Sequence, residues 1–142
     1  MERLKASGLE CVIPNLKMPV LGICLGMQLM CRKTEEENTT GLNIFPLEVQ
    51  QFSGDCKIPH MGWNNIRELR SGLFRGIEAG EWMYFVHSYY LPRNEYDIAV
   101  CDYGRPFAAA VRKDNFYGCQ FHPEKSSETG EKILKNFLML KK

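Results

Sequence analysis

The stretch Pro19-Val20-Leu21-Gly22-Ile23-Cys24-Leu25-Gly26 constrains this chain most, because a short apolar run ends there on the pattern Gly-x-Cys-x-Gly. A continuous apolar run of that length reads as a strand buried on both faces, and Leu25 to Arg32 then reads as a helix. A cysteine at such a strand-to-helix junction occupies a nucleophile elbow, a sharp turn that lifts the reactive atom above the sheet edge. Gly22 and Gly26 leave room for the close backbone approach of that turn. The amino-terminal end of the following helix favours thiolate over thiol, and the thiolate is the attacking form. Taken alone, Cys24 is equally a small buried hydrophobe closing a core strand.

A second pattern changes that balance. Gln120-Phe121-His122-Pro123-Glu124 follows a predicted strand and sets an imidazole and a carboxylate two residues apart, on one face of the chain as it leaves the strand. Pro123 restricts the backbone between them. Glu124 can then accept a hydrogen bond from one ring nitrogen of His122 while the other nitrogen serves the thiol, the division of labour of a catalytic triad. His122 alone would be an ordinary histidine and Glu124 a solvated charge. With the cysteine elbow, the pair reads as base and orienter.

The remaining pattern supplies a scaffold. Met1 to Leu9 reads as helix, ending near Gly8 before an irregular stretch over Ile13 to Met18. Thr34 to Thr40 reads as a polar surface loop. Ile44 to Phe52, Trp63 to Ile66, Met83 to Tyr90, Ile98 to Asp102, Phe107 to Arg112 and Phe116 to Phe121 read as strands, several joined by hairpin turns. From Ser127 the period returns to helix, with Ile133, Leu134, Phe137, Leu138 and Leu140 as one apolar stripe. This order predicts an α/β fold, a sheet with an antiparallel section, in one domain over 1–142.

Composition narrows the function classes. The chain has 142 residues, 44% hydrophobic and 25% charged, enough for one domain with a real core. A net charge of +1, from 18 basic and 17 acidic residues, provides no field pointing to nucleic acid or a membrane surface. Six cysteines at irregular spacing, with no Cys-x-x-Cys pair, no secretory leader and no long apolar run, predict reduced thiols and a cytoplasmic protein without a zinc site.

Gly22-Ile23-Cys24-Leu25-Gly26-Met27-Gln28 together with Gln120 to Glu124 resembles the class I, triad-type glutamine amidotransferases. Within them, Pro59-His60-Met61-Gly62-Trp63-Asn64 and Tyr84-Phe85-Val86-His87-Ser88-Tyr89 resemble the glutaminase subunits of imidazole glycerol phosphate synthases of histidine biosynthesis, over essentially the whole chain. The resemblance implies a flavodoxin-like sheet and a triad of Cys24, His122 and Glu124 that converts L-glutamine to glutamate and ammonia. It implies glutamine contacts from Gln28, Glu36 and the backbone around His87, Ser88 and Tyr89, with the Leu25 N–H as an oxyanion donor. It further implies no metal or organic cofactor, and a heterodimer with a cyclase subunit that receives the ammonia and meets Trp63, Tyr84 and Lys125. Such domains open with a strand, a helix and a Pro-Gly-x-Gly loop that supplies a second oxyanion donor; the resemblance therefore predicts a domain incomplete at its amino terminus.

Three alternatives stay open at this point. The ammonia acceptor could belong to another biosynthetic pathway. The chain could retain partner binding without turnover, since a fold and a motif do not guarantee a competent site. A peptide-cleaving cysteine hydrolase would share Cys24 and His122 but leaves Gln28 unexplained.

Overall fold

The computed structural model describes residues 1–141. Two short helices come first, α1 (Glu2–Ser7) and α2 (Leu9–Val12). Gly8 separates them at φ 77°, a left-handed conformation that costs glycine no side-chain clash. The predicted helix thus ends where expected, but a 3-10 turn over Ile13–Asn15 carries helical backbone from α2 into the stretch that the sequence suggested was irregular. There follow β1 (Val20–Ile23), α3 (Leu25–Leu29), β2 (Cys31–Thr34), β3 (Thr39–Thr40), β4 (Phe45–Gln51), β5 (His60–Asn65), β6 (Trp82–His87), β7 (Tyr89–Tyr90), β8 (Asp97–Asp102), β9 (Pro106–Lys113), β10 (Phe116–Cys119) and α4 (Ser127–Leu138).

The central sheet has the order β1-β10-β9-β8, with β1 parallel to β10 and the other pairs antiparallel. A second sheet, β3-β2-β4-β7, mixes parallel and antiparallel pairs, and β5 and β6 form a two-stranded antiparallel ribbon. This is the α/β fold with an antiparallel section that the pattern predicted.

Side-chain alternation along β9 sends Phe107 and Ala109 to one apolar cluster and Ala108 to another, so the central sheet separates two cores. The first is aromatic, holding Phe52, Phe85, Phe107 and Phe121, and α4 covers it with Ile133 and Phe137. The second is filled by Met27 and Met30 around α3, together with Phe45 and Val49 of β4. Gly22 and Gly118 face each other in the β1–β10 register. A Cβ on Gly22 would stand 2.6 Å from Met30 Cε, and one on Gly118 2.5 Å from Met27 Cγ. The paired glycines therefore open a groove that seats α3 directly against the sheet.

Four local expectations are corrected. The helix after Cys24 stops at Leu29, because Leu42 N–H takes the Leu29 carbonyl at 2.8 Å and Ile44 N–H takes that of Met30 at 2.9 Å. Those are acceptors a continuing helix would need, so Cys31 and Arg32 enter strand β2 instead. The Thr34–Thr40 segment is mainly exposed, yet Thr34 is buried and pairs with Thr39 in a hairpin, and Glu36 is half-buried. Among the described residues β1 pairs only with β10, so it is an edge strand and Val20, Leu21 and Ile23 are half-buried rather than enclosed. In α4, Leu138 points outward at 80% exposure and leaves the stripe to Ile133, Phe137 and Leu140.

Candidate active site

Cys24 stands between β1 and α3 at φ 52°, ψ −105°. A residue with a side chain held in that region carries strain of about 1–3 kcal/mol. The surroundings enforce it. Cys24 N–H donates to Cys119 O at 2.7 Å, and Cys24 O accepts from Gln28 N–H at 3.2 Å. Gly22 is needed for the turn, since its Cβ would lie 2.7 Å from the Gly26 carbonyl carbon. Gly26 is not: a Cβ there meets nothing within 4 Å, which corrects the equal role expected for the two glycines.

The sulfur lies 3.8 Å from Val86 O and accepts from Gln120 Nε2 at 3.5 Å. Burial pushes its pKa up, and the carboxylates of Glu124 and Glu36 add to the rise, while the Leu25 N–H and the Gln120 amide pull it down. The expected thiolate is therefore not the resting state. Helix α3 has only five residues, so its dipole is too weak to outweigh desolvation. Attack by this sulfur requires a base.

His122 is held from both sides by β6. Its N–H donates to Tyr84 O at 2.9 Å, and its carbonyl accepts from Ser126 Oγ at 2.6 Å, which in turn accepts from Tyr84 N–H at 2.9 Å. His122 Nδ1 lies 2.6 Å from Glu124 Oε1. The contact forms because Pro123–Lys125 curls into a 3-10 turn, not along an extended chain as the spacing suggested. Since Ile23 pairs with Cys119, Cys24 and His122 leave the carboxyl ends of neighbouring parallel strands.

A pocket of about 260 Å³ opens at the sulfur, lined by Cys24, Leu25, Gln28, Glu36, Val86, His87, Ser88 and Tyr89. It brings together all six residues proposed from the sequence as glutamine contacts, at a size near the lower end for small-molecule sites, about 300 Å³. Two of them use their side chains otherwise. Gln28 is buried and donates through Nε2 to Tyr89 O at 3.2 Å and to Gln120 Oε1 at 3.1 Å, leaving Oε1 for a ligand. The His87 ring contacts Tyr89 O through Nδ1 at 2.8 Å and His60 Nδ1 through Nε2 at 2.9 Å. Sequence reasoning overlooked Gln120, Val86 and Ser126. Gln120 was within the quoted motif, and alternation from the core residue Phe121 was the signal for turning it to the other side.

On the outer face of the β5–β6 ribbon, Met61 pairs with Val86 and Trp63 with Tyr84, and Trp82 lies one step further along. Met61, Trp63 and Trp82 are 63%, 50% and 54% exposed, an apolar patch of the kind that marks a protein contact. Lys125 Nζ sits 5.9 Å above the Tyr84 ring, and the Trp63 and Tyr84 rings meet edge to face at 6.0 Å. The three expected interface residues are thus adjacent, with Met61 and Trp82 added by the period of the strands. Among the described residues no group of three or more His, Cys, Asp or Glu could hold a metal ion, and no helix is long and apolar enough to cross a membrane.

Comparison with known proteins agrees with the geometry. The glutamine amidotransferase class-I family profile matches residues 7–140. The chain is 57% identical over 143 residues to the imidazole glycerol phosphate synthase subunit HisH of Bacteroides fragilis, covering 99% of this chain and 73% of the relative. It is 50% identical over 141 residues to the HisH subunit of Escherichia coli, covering 97% and 72%. Among solved structures, one glutamine amidotransferase superposes with a TM-score of 0.68 at 14% identity, covering 96% of this chain and 71% of its own. Another, from Thermotoga maritima, gives 0.58 at 17% identity, covering 95% and 54%. These structures share the fold, and the sequence match carries the rest: the chain belongs to the class-I glutamine amidotransferase family.

Proposed function

We propose that this chain is the glutaminase subunit of an imidazole glycerol phosphate synthase, hydrolysing L-glutamine and passing the ammonia to a cyclase subunit in histidine biosynthesis. The observation that carries the chemistry is the strained Cys24 elbow beside the hydrogen-bonded His122–Glu124 pair, with a small pocket open at the sulfur. The pathway rests on the HisH relatives.

In the proposed reaction His122 takes the thiol proton as Cys24 Sγ adds to the side-chain amide carbon of glutamine. Because burial holds the thiol protonated, the proton moves in step with attack. The Leu25 N–H, which favours negative charge on the sulfur, is the proposed donor to the developing oxyanion. His122 returns its proton to the departing ammonia, leaving a thioester on Cys24. Water activated by the same imidazole then releases glutamate and restores the thiol. Glu124 keeps the His122 proton on Nδ1, so that Nε2 is the basic atom.

The apolar ribbon of Met61, Trp63, Trp82 and Tyr84, with Lys125 over it, is the proposed docking face for the cyclase. Its strand β6 also carries Val86, whose carbonyl touches the sulfur, so the partner would sit next to the site of ammonia release. All six cysteines are free, which agrees with a reducing cytoplasm.

The test is glutamate release from glutamine by the purified chain, with and without the cyclase subunit. Partner-dependent release that vanishes in Cys24→Ala is expected. A complex that forms and releases no glutamate would replace hydrolysis by docking alone.

A further inference from the structure

Seven groups form an unbroken hydrogen-bond line from β5 to the nucleophile. Asn64 Nδ2 lies 3.3 Å from His60 Nε2, His60 Nδ1 lies 2.9 Å from His87 Nε2, and His87 Nδ1 lies 2.8 Å from Tyr89 O. Tyr89 O also accepts from Gln28 Nε2, which donates to Gln120 Oε1, and Gln120 Nε2 donates to Cys24 Sγ. Both histidines are buried among Phe52, Phe85, Tyr103 and Phe107.

The direction of every bond follows from the two ends. A carbonyl only accepts, so His87 carries its proton on Nδ1 and its Nε2 is an acceptor. His60 must then donate from Nδ1, leaving its Nε2 to accept. Asn64 meets that need. Its Nδ2 also donates to Asp102 O at 2.9 Å and its Oδ1 accepts from Asn65 N–H at 2.9 Å, which fixes the amide's orientation independently. A second proton on either ring would set two donors face to face. Burial acts in the same sense, lowering the pKa of His60 to about 4 and that of His87 to about 3.

We infer that His60 and His87 are positioning residues, a relay of two neutral rings protonated on Nδ1. The relay holds the Tyr89 carbonyl and, through Gln28 and Gln120, the hydrogen bond to the Cys24 sulfur. This rests on the reading of Cys24 as nucleophile. Neither ring touches the reacting atoms. Without the His87 donor, the turn at Ser88 loses the bond that aims the Tyr89 carbonyl, Gln28 loses its anchor, and the amide that stabilises the thiolate is free to turn away.

Asn64→Asp tests this with almost no change of shape, because it replaces the donor facing His60 Nε2 by an acceptor. The relay must then reverse or gain a proton. Asn65→Asp, on the same strand, adds the same charge outside the line. The readout is the pH midpoint of Cys24 alkylation by iodoacetamide, followed on the Cys24 peptide by mass spectrometry. It needs no turnover, so it is separate from the glutaminase assay. The Asn64→Asp midpoint is expected to rise by about half a pH unit or more, through loss of a hydrogen bond to the charged form, while Asn65→Asp leaves it in place. His60→Phe should follow Asn64→Asp, and His60→Asn, which keeps a donor near the Nδ1 position, should restore the wild-type midpoint. Nitrogen-15 shifts of the wild-type imidazoles should report two neutral rings protonated on Nδ1. An unchanged midpoint in Asn64→Asp, equal shifts in the two aspartate variants, or the opposite tautomer would overturn the relay.

Discussion

The main-chain N–H of Cys24 donates to the carbonyl of Cys119 at 2.7 Å, just past the last parallel pair of β1 and β10. The strand that ties down the backbone of the elbow is therefore the strand that runs on to Gln120 and His122. Sulfur, amide and imidazole share one backbone reference, and that reference is paid for with strain at Cys24. Cys24→Gly should separate the two effects. It should hydrolyse no glutamine and yet unfold later than Cys24→Ala, by about 1 kcal/mol, because glycine reaches φ 52° without a Cβ. Denaturant unfolding of the two variants measures the difference, and equal stabilities would remove strain from the account.

The two glycines of the elbow should respond oppositely. Gly22→Ala drives a methyl into Met30 and the Gly26 backbone and is expected to cost about 1–3 kcal/mol, as other overpacked sites do. Gly26→Ala meets open space and should be neutral or stabilising by about 0.4–1 kcal/mol. Thermal unfolding of both variants, side by side, checks the assignment.

Most of this architecture was legible in the sequence because the period of a strand and the chemistry of a turn are local. The elbow, the His122–Glu124 pair, the hairpin strands and α4 follow from such signals. What local reading did not reach was set by distant groups. Helix α3 stops at Leu29 because loop N–H groups from Leu42 and Ile44 take its carbonyls. Cys24 is held as a thiol because burial and two remote carboxylates outweigh a short helix. Gln120 and Gln28 face each other across 92 residues, a separation at which no spacing rule operates.

Glu124→Gln should lower kcat for glutamine hydrolysis by about a hundredfold or more with little change in KM. An amide can donate to His122 Nδ1 and so stabilise the wrong tautomer, as in other triads. Steady-state kinetics with saturating partner separates the two parameters. A rise in KM at constant kcat would place Glu124 in binding instead.

The neutral histidine pair gives the fold an acid-sensitive window. His60 and His87 have pKa values of about 4 and 3, below the ordinary 6.5, so on acidification the unfolded chain takes up their protons first. Their contribution is intact above about pH 6.5 and is lost as pH falls toward the folded values, at up to about 1.4 kcal/mol per pH unit for each ring. Between pH 7 and 5.5 the two together should lower the unfolding free energy by about 2–3 kcal/mol. Urea unfolding at the two pH values measures the loss. It should be roughly halved in His60→Phe if that variant folds, and a flat profile in the wild type would mean that the rings are not held neutral.

The apolar ribbon face makes a prediction about binding that stability measurements can isolate. Trp63 and Trp82 are half exposed in this chain, so truncating either should change the unfolding free energy by only about 0.5 kcal/mol. Aromatic anchors buried at an interface cost about 2 kcal/mol or more on truncation, close to a thirtyfold loss of affinity. Trp63→Ala and Trp82→Ala are therefore expected to weaken binding to the cyclase subunit by that order while leaving the isolated chain intact. Lys125→Ala, which removes only an exposed cation over Tyr84, should cost less, about 0.5–1 kcal/mol. Titration calorimetry with the cyclase gives all three values. Wild-type affinity in both tryptophan variants would move the partner to another face of the molecule.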